Sequence, residues 1–111
     1  RRACDYLRNH VDDPDCLANA ARAANLSRAH FFTLFRRDTG MSPMLMLNDT
    51  RMRRAFTWLE TQRAGTLGQL AEDLGFSEQG HFTRFFQQHI GAAPSQYRRV
   101  IDSYAGQTPP L

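Results

Sequence analysis

A unit of roughly fifty residues is written twice in this chain, the mark of one supersecondary element used more than once. His30/His81, Phe31/Phe82, Phe35/Phe86, Gly40/Gly91 and Pro43/Pro94 all stand 51 residues apart. Upstream, Leu17/Leu67, Ala21/Ala71 and Ser27/Ser77 stand 50 apart. The offset changes between the serine and the histidine, so the second unit carries one extra residue where its second helix begins. Each unit reads as a short helix, a tight turn and a longer helix. The fold must therefore hold two copies of one small helical motif side by side.

Helix stops and periodicity organise the rest. Residues 2–11 suit a first amphipathic helix with Cys4, Leu7 and Val11 on one side, ended by Asp12-Asp13-Pro14 because proline disfavours helix at the residue before it. Asp15 is placed to cap a helix running to Ala24, and Ser27 to cap the next one, which Gly40 stops. Pro43 suits the first turn of a long helix to about Thr61. Thr66-Leu67-Gly68-Gln69 is a capping-box pattern. Ser77 and Gly91 should then bound the second unit's longer helix, and Pro94 should start a short last one through Tyr97 and Arg99. A tail from Ser103 is expected to be disordered. Nothing alternates as a strand would. The expectation is an all-α fold of about seven helices. It forms a single domain over 1–111: a first unit at 1–41, a linker helix at 42–62, a second unit at 63–102 and a tail at 103–111.

Charge placement suggests what the repeated unit is for. The chain has 111 residues, 41% of them hydrophobic, and all 14 cationic residues are arginines. Genomic base composition is the bland explanation, yet guanidinium also grips phosphate and guanine bidentately. From Gln79 to Ile101 there are three arginines and no acid, while Asp12, Asp13, Asp15, Glu72 and Asp73 lie outside the longer helices. The isoelectric point near 9.4 agrees with a nucleic-acid partner. No apolar run is long enough to span a bilayer and the N-terminus lacks a signal-peptide pattern, so no membrane partner and a cytoplasmic location are expected. Cys4 and Cys16 read as reduced thiols. The opening on helix-like sequence without an initiator Met suggests a domain cut from a longer protein.

Projected at 100° per residue, residues 27–38 gather Phe31, Leu34 and Phe35 in one sector. Ala29, Thr33 and Arg36 point the other way, with Arg37 and Phe32 on the flanks. The second unit gathers Phe82, Phe85 and Phe86 in the same manner, opposed by Gly80, Arg84 and Gln87 and flanked by Gln88 and Thr83. The aromatic stripes are core. An acid-free polar face is ordinarily just solvated. Two such faces, each following a compact helix and an Asn25-Leu26-Ser27 or Gly75-Phe76-Ser77 turn, favour DNA reading.

The segments Leu26–Phe31, Phe35–Pro43, Leu70–Ser77 and Phe82–Phe86 resemble the AraC/XylS-type bacterial transcription regulators. The likeness runs over about residues 2–100 and includes the order of the helices. It implies two helix-turn-helix units that place their recognition helices in successive major grooves on one face of DNA. Carried over by position, the first reading helix offers Arg28, Ala29, Phe32, Thr33 and Arg36, and the second Gln79, Gly80, Thr83, Arg84 and Gln87. Arginine often stands in that family where this chain has Thr33, the counterpart of Arg84. Small Ala29 and Gly80 also occupy places open to longer readers.

Chemically, Arg84 is matched to guanine O6 and N7, and Gln79 to adenine if it reaches. Phe32 either touches a thymine methyl or is half-buried against the linker helix. Arg36, Arg37, Gln87 and Gln88 suit phosphates, which set register without reading sequence. His30 and His81 are assigned to hydrogen bonding near the helix starts. Arg51, Arg53 and Arg54 on the linker helix lie near DNA, or Arg51 is a packed ion-pair residue; Trp58 and Leu59 read as core. No zinc spacing, catalytic triad or phosphate loop is present, so no metal, cofactor or enzymatic activity is expected. The leading function is sequence-specific double-stranded DNA binding by a transcription regulator. The alternative is a degenerate helical module acting through protein contacts, such as RNA polymerase, with only nonspecific DNA binding. Dimerisation and effector binding would belong to a missing N-terminal part.

Overall fold

Local signals set where the helices begin and end, and most act as the sequence implies. The computed structural model describes residues 2–61 and 64–105. Among these, seven α-helices follow one another: α1 (Arg2–Asn9), α2 (Cys16–Ala23), α3 (Arg28–Thr39), α4 (Pro43–Thr61), α5 (Leu67–Asp73), α6 (Gln79–Ile90) and α7 (Pro94–Ala105). No strand occurs among the described residues. The Ser27 hydroxyl accepts from the His30 amide at 3.2 Å, and Gly40 closes α3 in the left-handed conformation at φ 79°. Gly91 closes α6 in the same way. Thr66 and Gln69 form the full capping box at α5, with bonds of 2.9 and 3.1 Å.

Four local expectations need correction. Helix α1 stops at Asn9; His10 to Asp12 form a turn, in which the His10 ring Nδ1 donates to the Tyr6 carbonyl at 2.8 Å. Asp15 stands at the start of α2 but its side chain caps nothing. Asp13 serves that corner instead, its carboxylate accepting from the Asp15 amide at 2.9 Å and from Asn19 Nδ2 at 2.6 Å. Ser77 is likewise displaced from its expected cap: the cap position of α6 is Glu78, which makes no side-chain cap bond. That is the physical expression of the extra residue in the second unit. Finally, α7 does not end near Arg99 but runs to Ala105, because Tyr97 and Ile101, one turn apart, both pack on the second core and nothing breaks the helix before Gly106. The rest of the expected tail, like residues 62 and 63 at the end of the expected linker, lies outside the described residues.

Two separate cores result. The first gathers Leu7, Val11, Cys16, Leu17, Ala20, Ala21, Phe31 and Phe35 around Leu47 of α4. The second gathers Leu70, Ala71, Leu74, Phe82 and Phe86 around Met52, Ala55 and Leu59 of the same helix. The tight turns repeat bond for bond: the Leu26 amide donates to the Ala21 carbonyl at 3.0 Å, and the Phe76 amide to the Ala71 carbonyl at 2.9 Å. Asn25 and Gly75 take the left-handed conformation there. Cys4 and Cys16 are free thiols, and burial pushes the Cys16 thiol upward in pKa. Leu59 is core, and Trp58 packs half-buried against the second core with the Arg98 guanidinium over its ring.

Helix α4 serves both cores through residues four apart, Leu47, Arg51, Ala55 and Leu59, all buried. Arg51 interrupts this apolar stripe where the two cores meet and is only 8% exposed. Its Nε and Nη2 donate to the Val11 carbonyl at 3.3 and 3.2 Å, and Nη2 also to the Asp13 carbonyl at 3.3 Å. The residue is therefore packed, but its partners are carbonyls rather than the carboxylate of an ion pair, and it does not face solvent where DNA could be met. Arg53 pairs with Asp49 at 2.9 Å, and Arg54 donates to the Arg8 carbonyl.

Phe35→Ala and Phe86→Ala should each cost about 3–5 kcal/mol, since each empties a buried aromatic volume. Chemical denaturation followed by circular dichroism measures it, and an unchanged midpoint would mean the helix faces are inverted. A second measurement separates the two aspartates. Bonding to Asn19 and to the Asp15 amide holds the Asp13 carboxyl below the usual carboxylate range. The stability it contributes is thus present above the unfolded-state value near about 3.9 and lost as pH falls through the lower folded value. Asp13→Ala should lower the melting temperature at pH 7 by a few degrees and more than Asp15→Ala does, and the difference should fade on acidification.

Candidate nucleic-acid interface

The exposed sides of α3 and α6 are what remains once the aromatic stripes are buried. On α3, Phe31 and Phe35 face inward and Leu34 is half-buried, leaving Arg28, Ala29, Thr33, Arg36 and Arg37 exposed. On α6, Phe82 and Phe86 are fully buried, leaving Gln79, Gly80, Arg84, Gln87 and Gln88 exposed and Thr83 half-exposed. Every candidate assigned from the sequence is thus accessible at least in part, five or more on each helix.

Their immediate contacts differ in ways the sequence did not show. The Thr33 hydroxyl donates to the Ala29 carbonyl at 3.1 Å, so its proton is already used inside the helix. Phe32 is half-buried against the first core, and the Arg28 guanidinium lies over its ring at 5.5 Å. The ring thus packs on the first core with one side and serves as a platform that holds Arg28 at the helix start. Arg37 Nε donates to the neighbouring Asp38 at 3.3 Å, which places one carboxylate beside an otherwise cationic turn. A Cβ on Gly68 would stand 3.5 Å from the Gln79 amide oxygen, so Gln79 leans back over the start of α5. Arg84 projects from the middle of α6 into solvent.

The two histidines behave unequally. His81 Nε2 lies 3.5 Å from the Glu78 carboxylate, an interaction within the first turn of α6. The His30 backbone makes the expected start-of-helix bond to Ser27, while its side chain is exposed. Two features escaped the sequence reading altogether. Met44 and Leu45 at the start of α4 expose 42% and 55% of their surface. Gly75 packs directly against the α1–α2 turn, a contact no local pattern signals.

Among the described residues no group of three or more His, Cys, Asp or Glu is placed to hold a metal ion, and no helix is long and apolar enough to cross a membrane. Comparison with known proteins then decides the family. The model of the helix-turn-helix domain family matches residues 20–100. The chain belongs to the AraC-type helix-turn-helix family. Its members are transcription regulators rather than enzymes. The arabinose operon regulatory protein of Escherichia coli is 32% identical over 99 residues, which are 88% of this chain and 34% of that protein. The raffinose operon transcriptional regulatory protein RafR of Pediococcus pentosaceus is 28% identical over 89% of this chain and 35% of its own length. The chain thus spans about a third of the curated relatives it matches.

Among solved structures, the C-terminal domain of AraT, a response regulator from Geobacillus stearothermophilus, superposes with a TM-score of 0.81 at 29% identity, covering 90% of this chain and 83% of that one. The DNA-binding domain of AdpA, solved in complex with a target DNA, superposes with a TM-score of 0.82 at 24% identity over 96% of both chains. The AraC-type fold thus extends from end to end of the described helices.

Because the exposed arginines support no core, truncating them should leave the fold intact. Arg36→Ala, Arg37→Ala and Arg84→Ala should each keep stability within about 0.5 kcal/mol of the parent, the exposed Arg37–Asp38 pair being worth little. Thermal melts of the three variants check this. Unfolding of any of them would place that arginine in the packing rather than on the open face.

Proposed function

We propose that this AraC-type domain binds double-stranded DNA sequence-specifically as a single chain, with α3 and α6 entering successive major grooves on one face of the duplex. The observation that carries the reading is the repeated motif itself: two helices built alike, each burying its aromatic stripe and exposing an Arg/Gln/Thr face. The family membership supports it, and the AdpA domain was solved with its target DNA. On this reading residues 1–111 act as one DNA-binding domain. Its partner is promoter DNA in the cytoplasm of a bacterium, with RNA polymerase as a second partner. Any dimerisation would lie outside residues 1–111.

The side chains divide by chemistry. Arg84 is the principal base reader, since an exposed guanidinium in mid-helix can meet guanine O6 and N7 with two parallel bonds. Gln79 reads adenine by swinging away from Gly68. Ala29 and Gly80 bring backbone close to the groove floor, and Thr33 and Thr83 add short contacts. Thr33 is the weaker contributor because its proton already bonds Ala29. Arg28 on its Phe32 platform, Arg36, Arg37, Gln87 and Gln88 hold phosphates and fix register. The second unit is the stronger reader.

Selection of bound sites from random DNA tests this. Two unlike boxes with centres about 10 base pairs apart are expected. Arg84→Ala should cost about 1–3 kcal/mol and relax one guanine position, and Thr33→Ala should cost less. Arg36→Ala and Arg37→Ala should weaken binding to all sequences alike, each lowering the salt slope by about 1 for the phosphate it no longer holds. A symmetric palindrome needing two domains would overturn the single-chain reading. Steep salt dependence with no preferred sequence would favour the alternative, a helical module acting through protein contacts.

A further inference from the structure

The two units meet at Val11, Arg51, Gly75 and Phe76. Val11 belongs to the turn that follows α1, and its carbonyl receives two bonds from Arg51 of α4. The same guanidinium lies 5.3 Å from the centre of the Phe76 ring, in the turn between α5 and α6. That ring packs in turn on Phe82 and Phe85 of α6, with centroids 5.6 and 5.2 Å away. An unbroken chain of contacts therefore runs from the first unit through Arg51 to the core side of the second reading helix. Gly75 lies where the units touch: a Cβ there would stand 2.4 Å from the Val11 carbonyl oxygen, 2.7 Å from Arg51 Nη2 and 3.2 Å from the Asp12 carbonyl carbon. The nearest of these is about 1 Å inside ordinary contact, and it is backbone, which cannot rotate aside.

Each unit has its own core, and α4 alone would leave their mutual rotation to the bending of one helix. A duplex is unforgiving of such freedom. Adding one base pair between two boxes moves the second by about 3.4 Å and turns it by about 35° around the axis. We propose that Arg51 is a positioning residue that sets the placement of the second reading helix against the first, and so the base-pair spacing of the two boxes, with Gly75 leaving the room this clasp requires. The proposal rests on the two-box reading above. A buried guanidinium suits the task because its planar fork holds the carbonyls of one unit while its face lies on the aromatic ring of the other.

The test takes the two-box site that selection returns for the parent chain and varies the spacer one base pair at a time. For the parent, binding should fall about tenfold or more for one base pair either side of the optimum. Arg51→Met and Gly75→Ala should flatten this to about threefold or less, or move the optimum, while binding to a duplex carrying one box stays within about twofold of the parent. Arg51→Lys, which keeps the charge but not the fork, should recover the preference only in part. Gly40→Ala supplies the control, because Gly40 has nearly the same left-handed φ, 79° against 83°, with nothing within 4 Å of its Cβ position. It should lower the melting temperature and keep the steep spacer dependence. Unchanged spacer dependence in Arg51→Met and Gly75→Ala would overturn the proposal while leaving the two-box reading intact. Failure to select any two-box site would overturn both. Unfolding of both variants by circular dichroism would also overturn it, since two self-contained cores should survive removal of the clasp.

Discussion

The buried face of α4 is the constraint on which both halves depend. Leu47 enters the first core, Ala55 and Leu59 enter the second, and Arg51 occupies the turn between them. A charge taken out of water is expensive unless its donors are satisfied. Here the donors meet the Val11 and Asp13 carbonyls and the cationic plane meets the Phe76 ring. Burial lowers the affinity of Arg51 for its proton, yet a guanidinium remains charged, so the cost is offset only while both units keep their places. That dependence makes a polar residue more informative here than another leucine would be. An apolar side chain tolerates sliding, whereas a fork bonded to two carbonyls does not.

Around this helix the motif is reproduced with small differences that matter. In both units a left-handed residue turns the chain, a buried alanine accepts the returning amide, and two phenylalanines one turn apart seal the core. The scaffold is thus the same twice, while the solvent faces are not. α3 presents a threonine whose hydroxyl is occupied, and α6 presents an exposed arginine at the equivalent place. Even the caps differ. Ser27 caps the start of α3 with its own hydroxyl, while α6 begins one residue later, at Gln79, with Glu78 at the cap position making no side-chain cap bond.

Rigid packing beneath an adaptable surface suits a molecule that must present side chains to a fixed partner. The Phe32 ring steadies Arg28, and the Phe76–Phe82–Phe85 cluster steadies the start and middle of α6. The exposed cations remain outside these clusters, so the surface can change without disturbing the cores. This separation is consistent with the low identities, 24–32%, over which related chains keep the same family and fold.

Much of this was legible before any coordinates. A doubled pattern of serine, phenylalanine pair, glycine and proline encodes two helices with their stops, because caps and left-handed residues act within a few positions of themselves. The same periodicity divided Phe31, Phe35, Phe82 and Phe86 from the open faces, since helical geometry alone decides which residues share a side. Where a second segment intervenes, local pattern runs out. The sequence offered Asp15 and Ser77 as caps as readily as Ser27, but the approach of Asn19 to Asp13 and the extra residue before α6 assigned the roles differently. The last helix outran its expected end because the second core holds Tyr97 and Ile101. Arg51 stood equally well for a DNA contact or a packed residue, and Gly75 for an ordinary turn glycine. Only contacts across 40 residues for Arg51–Val11, and the closeness of Val11 to Gly75, decided both. Helix boundaries and faces follow from neighbours in the chain; the union of the two halves follows from neighbours in space, and one-dimensional periodicity carries no record of those.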